Sequence, residues 1–150
     1  MGLSVSKALL RASVSGDVAI VHKLLEQRGY LHVDVTNSEG STSLIMASCG
    51  GHSEIVTLLL KRHAYVNGAN NKGFTAVMCA SYHGYVGIVN LLIDAGADLD
   101  LANKDESTPL MFACFQGHFD VSSYAFINMC DVDTNRIELP LSLIFLIPGG

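Results

Sequence analysis

The sequence predicts an all-α protein, a solenoid of stacked helix-turn-helix units. The first observation is a period of 33 residues, which is visible when the chain is compared with itself. The second is that each period holds two short apolar segments separated by a glycine, a pattern typical of paired helices. Because one such pair cannot bury its apolar face alone, we expect the units to stack in an array.

Four columns of residues recur at this period: a threonine, a branched apolar residue, an alanine and a glycine. Their members are Thr42, Thr75 and Thr108; Leu44, Val77 and Leu110; Ala47, Ala80 and Ala113; and Gly51, Gly84 and Gly117. An earlier unit fits the pattern at a spacing of 35 residues, with the two extra residues in a loop, where insertions cost little. The chain therefore divides into a repeat domain at 1–136, with units at about 6–37, 38–70, 71–103 and 104–136, and an apolar tail at 137–150.

The third unit shows how the elements follow one another. Thr75 is the predicted N-cap of a first helix at 76–83, and Gly84 ends that helix. A second helix is predicted at 86–94 because apolar residues fill most of its circumference. Gly96 should stop this helix in a left-handed conformation. A turn-rich stretch then leads into the next unit.

These residues resemble the ankyrin family. The segment at 107–113, Ser-Thr-Pro-Leu-Met-Phe-Ala, and Gln-Gly-His at 116–118 are similar to the family's TPLHxA and GH motifs. The segments at 58–67 and 91–100 are similar to its second helix and following hairpin. The resemblance covers residues 6 to about 136 and implies an ankyrin-repeat solenoid of four units whose linking loops are β-hairpins.

The chain departs from the family pattern in two places. The histidine of the TPLH motif is replaced by Ile45, Met78 and Met111, so we expect apolar packing instead of its hydrogen bonds. The last unit is degenerate, because Ser122 and Ala125 stand where the second helix needs apolar residues.

The tail after Arg136 loses the repeat pattern. It contains an apolar run from Leu139 to Ile147 that is interrupted by Pro140. Terminal repeats normally present a polar outer face, and this tail has none. Two interpretations remain: an improvised cap on the stack, or the end of a truncated product of a longer ankyrin-repeat protein.

The charge and the cysteine content argue against two kinds of ligand, nucleic acid and zinc. The net charge of −5 argues against nucleic acid, whose binding depends on Lys and Arg. Residues 1–93 carry seven basic and five acidic side chains (+2), and residues 94–150 carry two and nine (−7). This acidic end is either a solvated surface or one that steers a basic partner. The four cysteines lack zinc spacing and are interpreted as reduced packing residues.

No enzyme motif is found: the sequence has no P-loop, GxGxxG, HExxH or GxSxG segment. His52 and His118 recur at one repeat position, where the resemblance implies a structural role. No two histidines lie one helical turn apart. The sequence therefore predicts neither a catalytic residue, nor a metal site, nor a cofactor.

The resemblance implies a protein-binding module that uses its hairpin tips and first-helix ends, which together form a concave face. By register we expect Phe74, Tyr82 and Phe115 to form an aromatic path there, a composition enriched at binding hot spots. The alternative is that each ring packs on the neighbouring repeat. The full set of predicted partner-binding residues is Lys72, Phe74, Tyr82, His83, Asp105, Ser107, Phe115 and Gln116.

Two modifications are predicted. Met1 to Lys7 fits the N-myristoylation pattern with Gly2 as the acceptor, and a single chain would give weak, reversible membrane association. Asn67 resembles the substrates of the asparaginyl hydroxylase that acts on ankyrin arrays.

The leading interpretation is a monomeric, non-enzymatic adaptor or scaffold in the cytoplasm, with the nucleus and the membrane periphery as other locations. The alternative from a different class is an N-myristoylated, membrane-associated regulator or inhibitor of an enzyme or channel. A third interpretation is the truncated product named above.

Overall fold

The computed structural model describes residues 2–26, 32–118 and 120–121. Seven helices lie in these ranges, two for each of the first three units and one for the fourth. They are α1 (Gly2–Ser15), α2 (Val18–Glu26), α3 (Ser43–Gly50), α4 (Ser53–Lys61), α5 (Ala76–His83), α6 (Val86–Asp94) and α7 (Pro109–Phe115). Ser122 and Ala125, on which the prediction of a degenerate last unit rests, and the tail at 137–150 lie outside the described residues.

The helices form two layers. The first helices pack side by side in the order α1, α3, α5, α7, and the second helices in the order α2, α4, α6. Each first helix of the first three units also packs on the second helix of its own unit. The all-α solenoid is thus confirmed, and α5 and α6 have the bounds that the sequence predicts.

Each first helix after α1 begins at the recurring threonine. The Oγ1 atom of Thr42 accepts a hydrogen bond from the N–H of Ile45 at 3.2 Å. Thr75 and Thr108 accept the equivalent bonds from Met78 and Met111, each at 3.4 Å. This bond satisfies one of the N–H groups that have no partner within the helix. Gly84 ends α5 in a left-handed conformation, with φ of 72°, where a side chain would be strained.

The linking loops are shorter hairpins than the sequence predicts. In the part of the chain that the structure describes there are no strands, only single antiparallel bridges joining Thr36 to Thr42 and Ala69 to Thr75. Successive tips are hydrogen-bonded to each other: the N–H of Asn71 donates to the Glu39 carbonyl at 2.9 Å, and that of Lys104 to the Lys72 carbonyl at 3.1 Å. The hairpin tips of successive units are therefore stacked on one another, as the helices are.

The core lies between the two helix layers. Its fully buried side chains include Leu44, Leu59 and Leu92. Ile45 and Met78, which replace the family's histidine, are also buried, so apolar packing has taken the place of its hydrogen bonds as predicted. Among the described helices, none is long and apolar enough to cross a membrane.

Candidate protein-binding surface

Four apolar side chains line up along the layer of first helices. Val14, Cys49, Tyr82 and Phe115 occupy equivalent positions in the last turns of α1, α3, α5 and α7. Since these helices stack side by side, the four residues form one stripe along the stack, here called the apolar column. Val14, Tyr82 and Phe115 are 51%, 43% and 76% exposed, and Cys49 is half-buried.

The ring of Phe112, which was not among the predicted binding residues, lies between two that were, Phe74 and Tyr82. Phe112 lies 5.3 Å from Phe74 and 6.0 Å from Tyr82 between ring centroids. Phe74 is half-buried, so this ring packs on the neighbouring repeat. Tyr82 makes the same kind of contact but stays exposed. Ring contacts therefore join Phe74 to Tyr82 through Phe112. Phe115, the third residue of the predicted path, lies one turn after Phe112 on α7 and makes no ring contact among the described residues.

The surface continues toward the second helices. The ring of His83 meets Tyr82 edge-on at 5.1 Å and stacks on Tyr85 at 5.5 Å. His83 and Gln116, which follow the column residues Tyr82 and Phe115 in the chain, are exposed. Aromatic groups held in such contacts lose little conformational freedom when they bind a partner.

The hairpin tips are held rigid by an asparagine in each unit. The Oδ1 atom of Asn103 accepts the N–H groups of Asp105 at 3.0 Å and Ser107 at 2.9 Å. Asn70 makes the same pair of bonds to Lys72 and Phe74, each at 3.0 Å. Lys72 and Asp105 are exposed, and Ser107 is half-buried.

Sequence reasoning missed these asparagines, although they had a detectable pattern. Asn37, Asn70 and Asn103 are 33 residues apart, a further column of the same period. Each orders a tip through its side chain.

Two histidines form hydrogen bonds between a column residue and the next unit. Nε2 of His52 lies 3.2 Å from the carbonyl of Val14, and Nε2 of His118 lies 3.1 Å from that of Tyr82. Because a carbonyl only accepts hydrogen bonds, the ring nitrogen is the donor in each case. A Cβ added at Gly84 would lie 2.6 Å from the His118 ring, so glycine makes room for it. These contacts agree with the structural role expected for both histidines.

The two predicted modification residues lie elsewhere. Gly2 is the first residue of α1. The side chain of Asn67 is engaged with the next unit: Nδ2 donates to the Gly96 carbonyl at 3.3 Å, and Oδ1 accepts the N–H of Asp98 at 2.8 Å. Hydroxylation of Asn67 would therefore require this loop to open first.

The described residues contain no group of three or more His, Cys, Asp or Glu side chains that could hold a metal ion. What the surface offers instead is an exposed apolar stripe in the last turns of the first helices, with hydrogen-bonded polar tips before their first turns. Stacked helical repeats with such a surface form a class of binding scaffold.

The sequence pattern that describes ankyrin repeats matches three copies of the repeat across residues 9–103. The chain therefore belongs to the ankyrin-repeat family, whose members are generally protein–protein interaction modules and typically non-enzymatic. No curated protein matches the chain.

Proposed function

We propose that this chain is a non-enzymatic adaptor that binds a protein partner through the apolar column and the hairpin tips that precede the same helices. The observation that carries the proposal is the exposure of Val14, Tyr82 and Phe115 at equivalent positions of three first helices. Folding alone gives no reason for a phenylalanine that is three-quarters exposed. Continuous exposed apolar surface is typical of an interaction site.

The arrangement also suits tight binding. Hot spots are rich in aromatic residues surrounded by contacts that exclude water. Here Tyr82 and Phe115 would form the apolar centre, and the charged tips at Lys72 and Asp105 would form part of a polar rim. The rim lies on backbone that Asn70 and Asn103 hold in place, so little ordering is needed on binding.

The proposal is tested by affinity purification with mass spectrometry, comparing the wild type with the double variant Tyr82→Ala/Phe115→Ala. Loss of two hot-spot rings, at about 2 kcal/mol each, should reduce partner capture at least about tenfold. Phe115 is largely exposed, and Tyr82 loses its ring contacts with Phe112 and His83, together worth about 1 kcal/mol. The melting temperature should therefore fall by no more than about 5 °C.

Tyr65→Ala is the matched control. Tyr65 is 62% exposed but lies in a loop after α4, outside the apolar column. Its removal should leave both the capture of the partner and the melting temperature unchanged. Equal loss of the partner in the control and the double variant, or unfolding of the double variant, would refute the assignment of the surface.

A further inference from the structure

The first helix of the first unit carries two positive charges in line with the apolar column. Lys7, Arg11 and Val14 follow one another at intervals of four and three residues, so they share one face of α1. All three side chains are exposed. Lys7 lies about 10 Å before Val14 along the helix. Lys7 and Arg11 are called the basic pair below.

The tip before the first helix of the fourth unit is acidic. Asp105 and Glu106, called the acidic tip below, are exposed and outnumber Lys104 of the same loop. They lie just before Thr108, the N-cap of α7. Thr108 precedes the column residue Phe115 by seven residues, about 10 Å along the helix. The basic pair and the acidic tip therefore lie at similar distances before the column, at opposite ends of the stack.

The tips of the two central units also carry opposite charges. Glu39 and Lys72 occupy equivalent positions 33 residues apart, before α3 and α5, and both are exposed. In the part of the chain that the structure describes, the one ion pair joins His22 to Glu26. The charges of the first-helix layer are thus not paired with one another there and can pair with a second molecule.

We propose that two copies of the chain associate face to face along their apolar columns, about a twofold axis parallel to the first helices. Tandem units repeat one fold, so their first helices run in one direction. The axis keeps that direction but reverses the order of the units. The first unit of each copy then faces the fourth unit of the other, and the second faces the third. The inference rests on the proposed function, which assigns the column as a binding surface, and it names a second copy as the occupant when no other partner is bound.

The charges favour this antiparallel arrangement. The basic pair of each copy faces the acidic tip of the other, and Glu39 faces Lys72. Because the interface is twofold, each of these contacts occurs twice. A twofold axis along the column would instead place the tips of the two copies on opposite sides of the interface, where their charges could not meet. Charge complementarity therefore distinguishes the two possible dimers.

The apolar column also matches its own antiparallel copy. Both columns have one residue per unit, so Val14 faces Phe115 and Cys49 faces Tyr82 at the same spacing. Val14 and Phe115, which are 51% and 76% exposed, cover each other at both ends of the interface. Few apolar side chains take part, so we expect a weak dimer with a dissociation constant in the micromolar range.

Sedimentation equilibrium of the full chain at increasing concentration tests the association. The mass should rise from the 16.0 kDa of one chain to twice that value and stop there, because a twofold interface is closed. A chain that stays monomeric up to roughly 1 mM, the range of the weakest association, would overturn the proposal. Growth beyond two chains would contradict the twofold arrangement, since it indicates head-to-tail contacts.

Charge reversal tests the pairing. Lys7→Glu/Arg11→Glu should raise the dissociation constant of the dimer at least about tenfold, because like charges then meet at both ends. The matched control is Lys61→Glu/Arg62→Glu at the exposed end of α4, outside the first-helix layer. Each variant exchanges two positive charges for two negative ones, so both change the net charge from −5 to −9. Equal weakening in both would show general repulsion and refute the pairing.

The reciprocal variant Asp105→Lys/Glu106→Lys supplies a rescue experiment. Alone it should dissociate as the first variant does. An equimolar mixture with Lys7→Glu/Arg11→Glu should form a dimer at least about tenfold tighter than either variant alone, because opposite charges meet again at both ends. A mixture that stays monomeric would contradict the pairing. Rescue in the mixture also shows that both variants are folded.

These experiments separate the dimer from the proposed function. All the variants keep Tyr82 and Phe115, on which capture of another protein partner depends. A chain that is monomeric but still captures a partner through these rings would refute the dimer alone. A dimer without any other partner would leave the pairing intact and refute the adaptor.

Discussion

Ser13, Ser48 and Ser81 occupy equivalent positions in the first helices of three units, and all three side chains are buried. Their hydroxyl oxygens meet no hydrogen-bond partner among the described residues. A buried hydroxyl without a partner costs about 1–3 kcal/mol relative to water. These serines therefore reduce the stability of the helix layer that carries the apolar column.

We predict that Ser48→Ala and Ser81→Ala each raise the free energy of unfolding by about 1 kcal/mol, since alanine removes the unsatisfied oxygen and is the better helix former. Urea denaturation measures the change. The control is Ser53→Ala on the exposed surface of α4, expected to stay within about 0.5 kcal/mol. A loss of stability in Ser48→Ala or Ser81→Ala would show that the hydroxyl has a partner.

At the scale of elements, the hairpin tips depend on how closely they stack. Gly73 and Gly96 both have positive φ, 82° and 88°. A Cβ added at Gly73 would lie 2.9 Å from Cα of Asn103 in the next tip, whereas one at Gly96 would meet no atom within 4 Å among the described residues. The two glycines thus share one conformation but differ in packing.

Substitution by alanine separates these two effects. Gly96→Ala should lower the free energy of unfolding by about 1–2 kcal/mol, the cost of a left-handed residue. Gly73→Ala should cost about 1–3 kcal/mol more, because the new methyl group collides with backbone that cannot rotate away. Chemical denaturation of both variants tests this difference. Equal losses would mean that the tips can separate without cost.

The helices themselves could be predicted from the sequence. The bounds of α5 and α6 follow from apolar periodicity, a threonine cap and a terminal glycine, all of which act over a few residues. The β-hairpins that were predicted for the loops are reduced to single bridges. One reason is that the Asn70 side chain accepts hydrogen bonds from the backbone of its own loop, at Lys72 and Phe74. A family motif describes only the typical loop, so it does not show where a side-chain acceptor competes with backbone pairing.

The surface could be predicted only in part. Register alone placed Tyr82 and Phe115 at exposed helix ends. It could not show that Phe112 lies between Phe74 and Tyr82, since these contacts depend on the distance and offset between neighbouring helices. Those quantities are set by packing of whole side chains across the stack.

At the scale of the whole molecule, charge is distributed unevenly along the stack. The first 93 residues carry a net charge of +2 and the remainder −7. The acidic residues around the loop between the third and fourth units are exposed: Asp94, Asp98, Asp100, Asp105 and Glu106. They precede the first turn of α7, the helix that carries Phe115. A partner with a basic region would be steered toward this end and oriented along the column.

The central claim is that the partner binds along the first helices, and amide hydrogen exchange of the chain with and without the purified partner tests it most directly. We predict slower exchange in the last turns of α3, α5 and α7 and in the adjoining hairpin tips, with α4 and α6 unchanged. Protection confined to α4 and α6, with the last turns of the first helices unaffected, would contradict the claim.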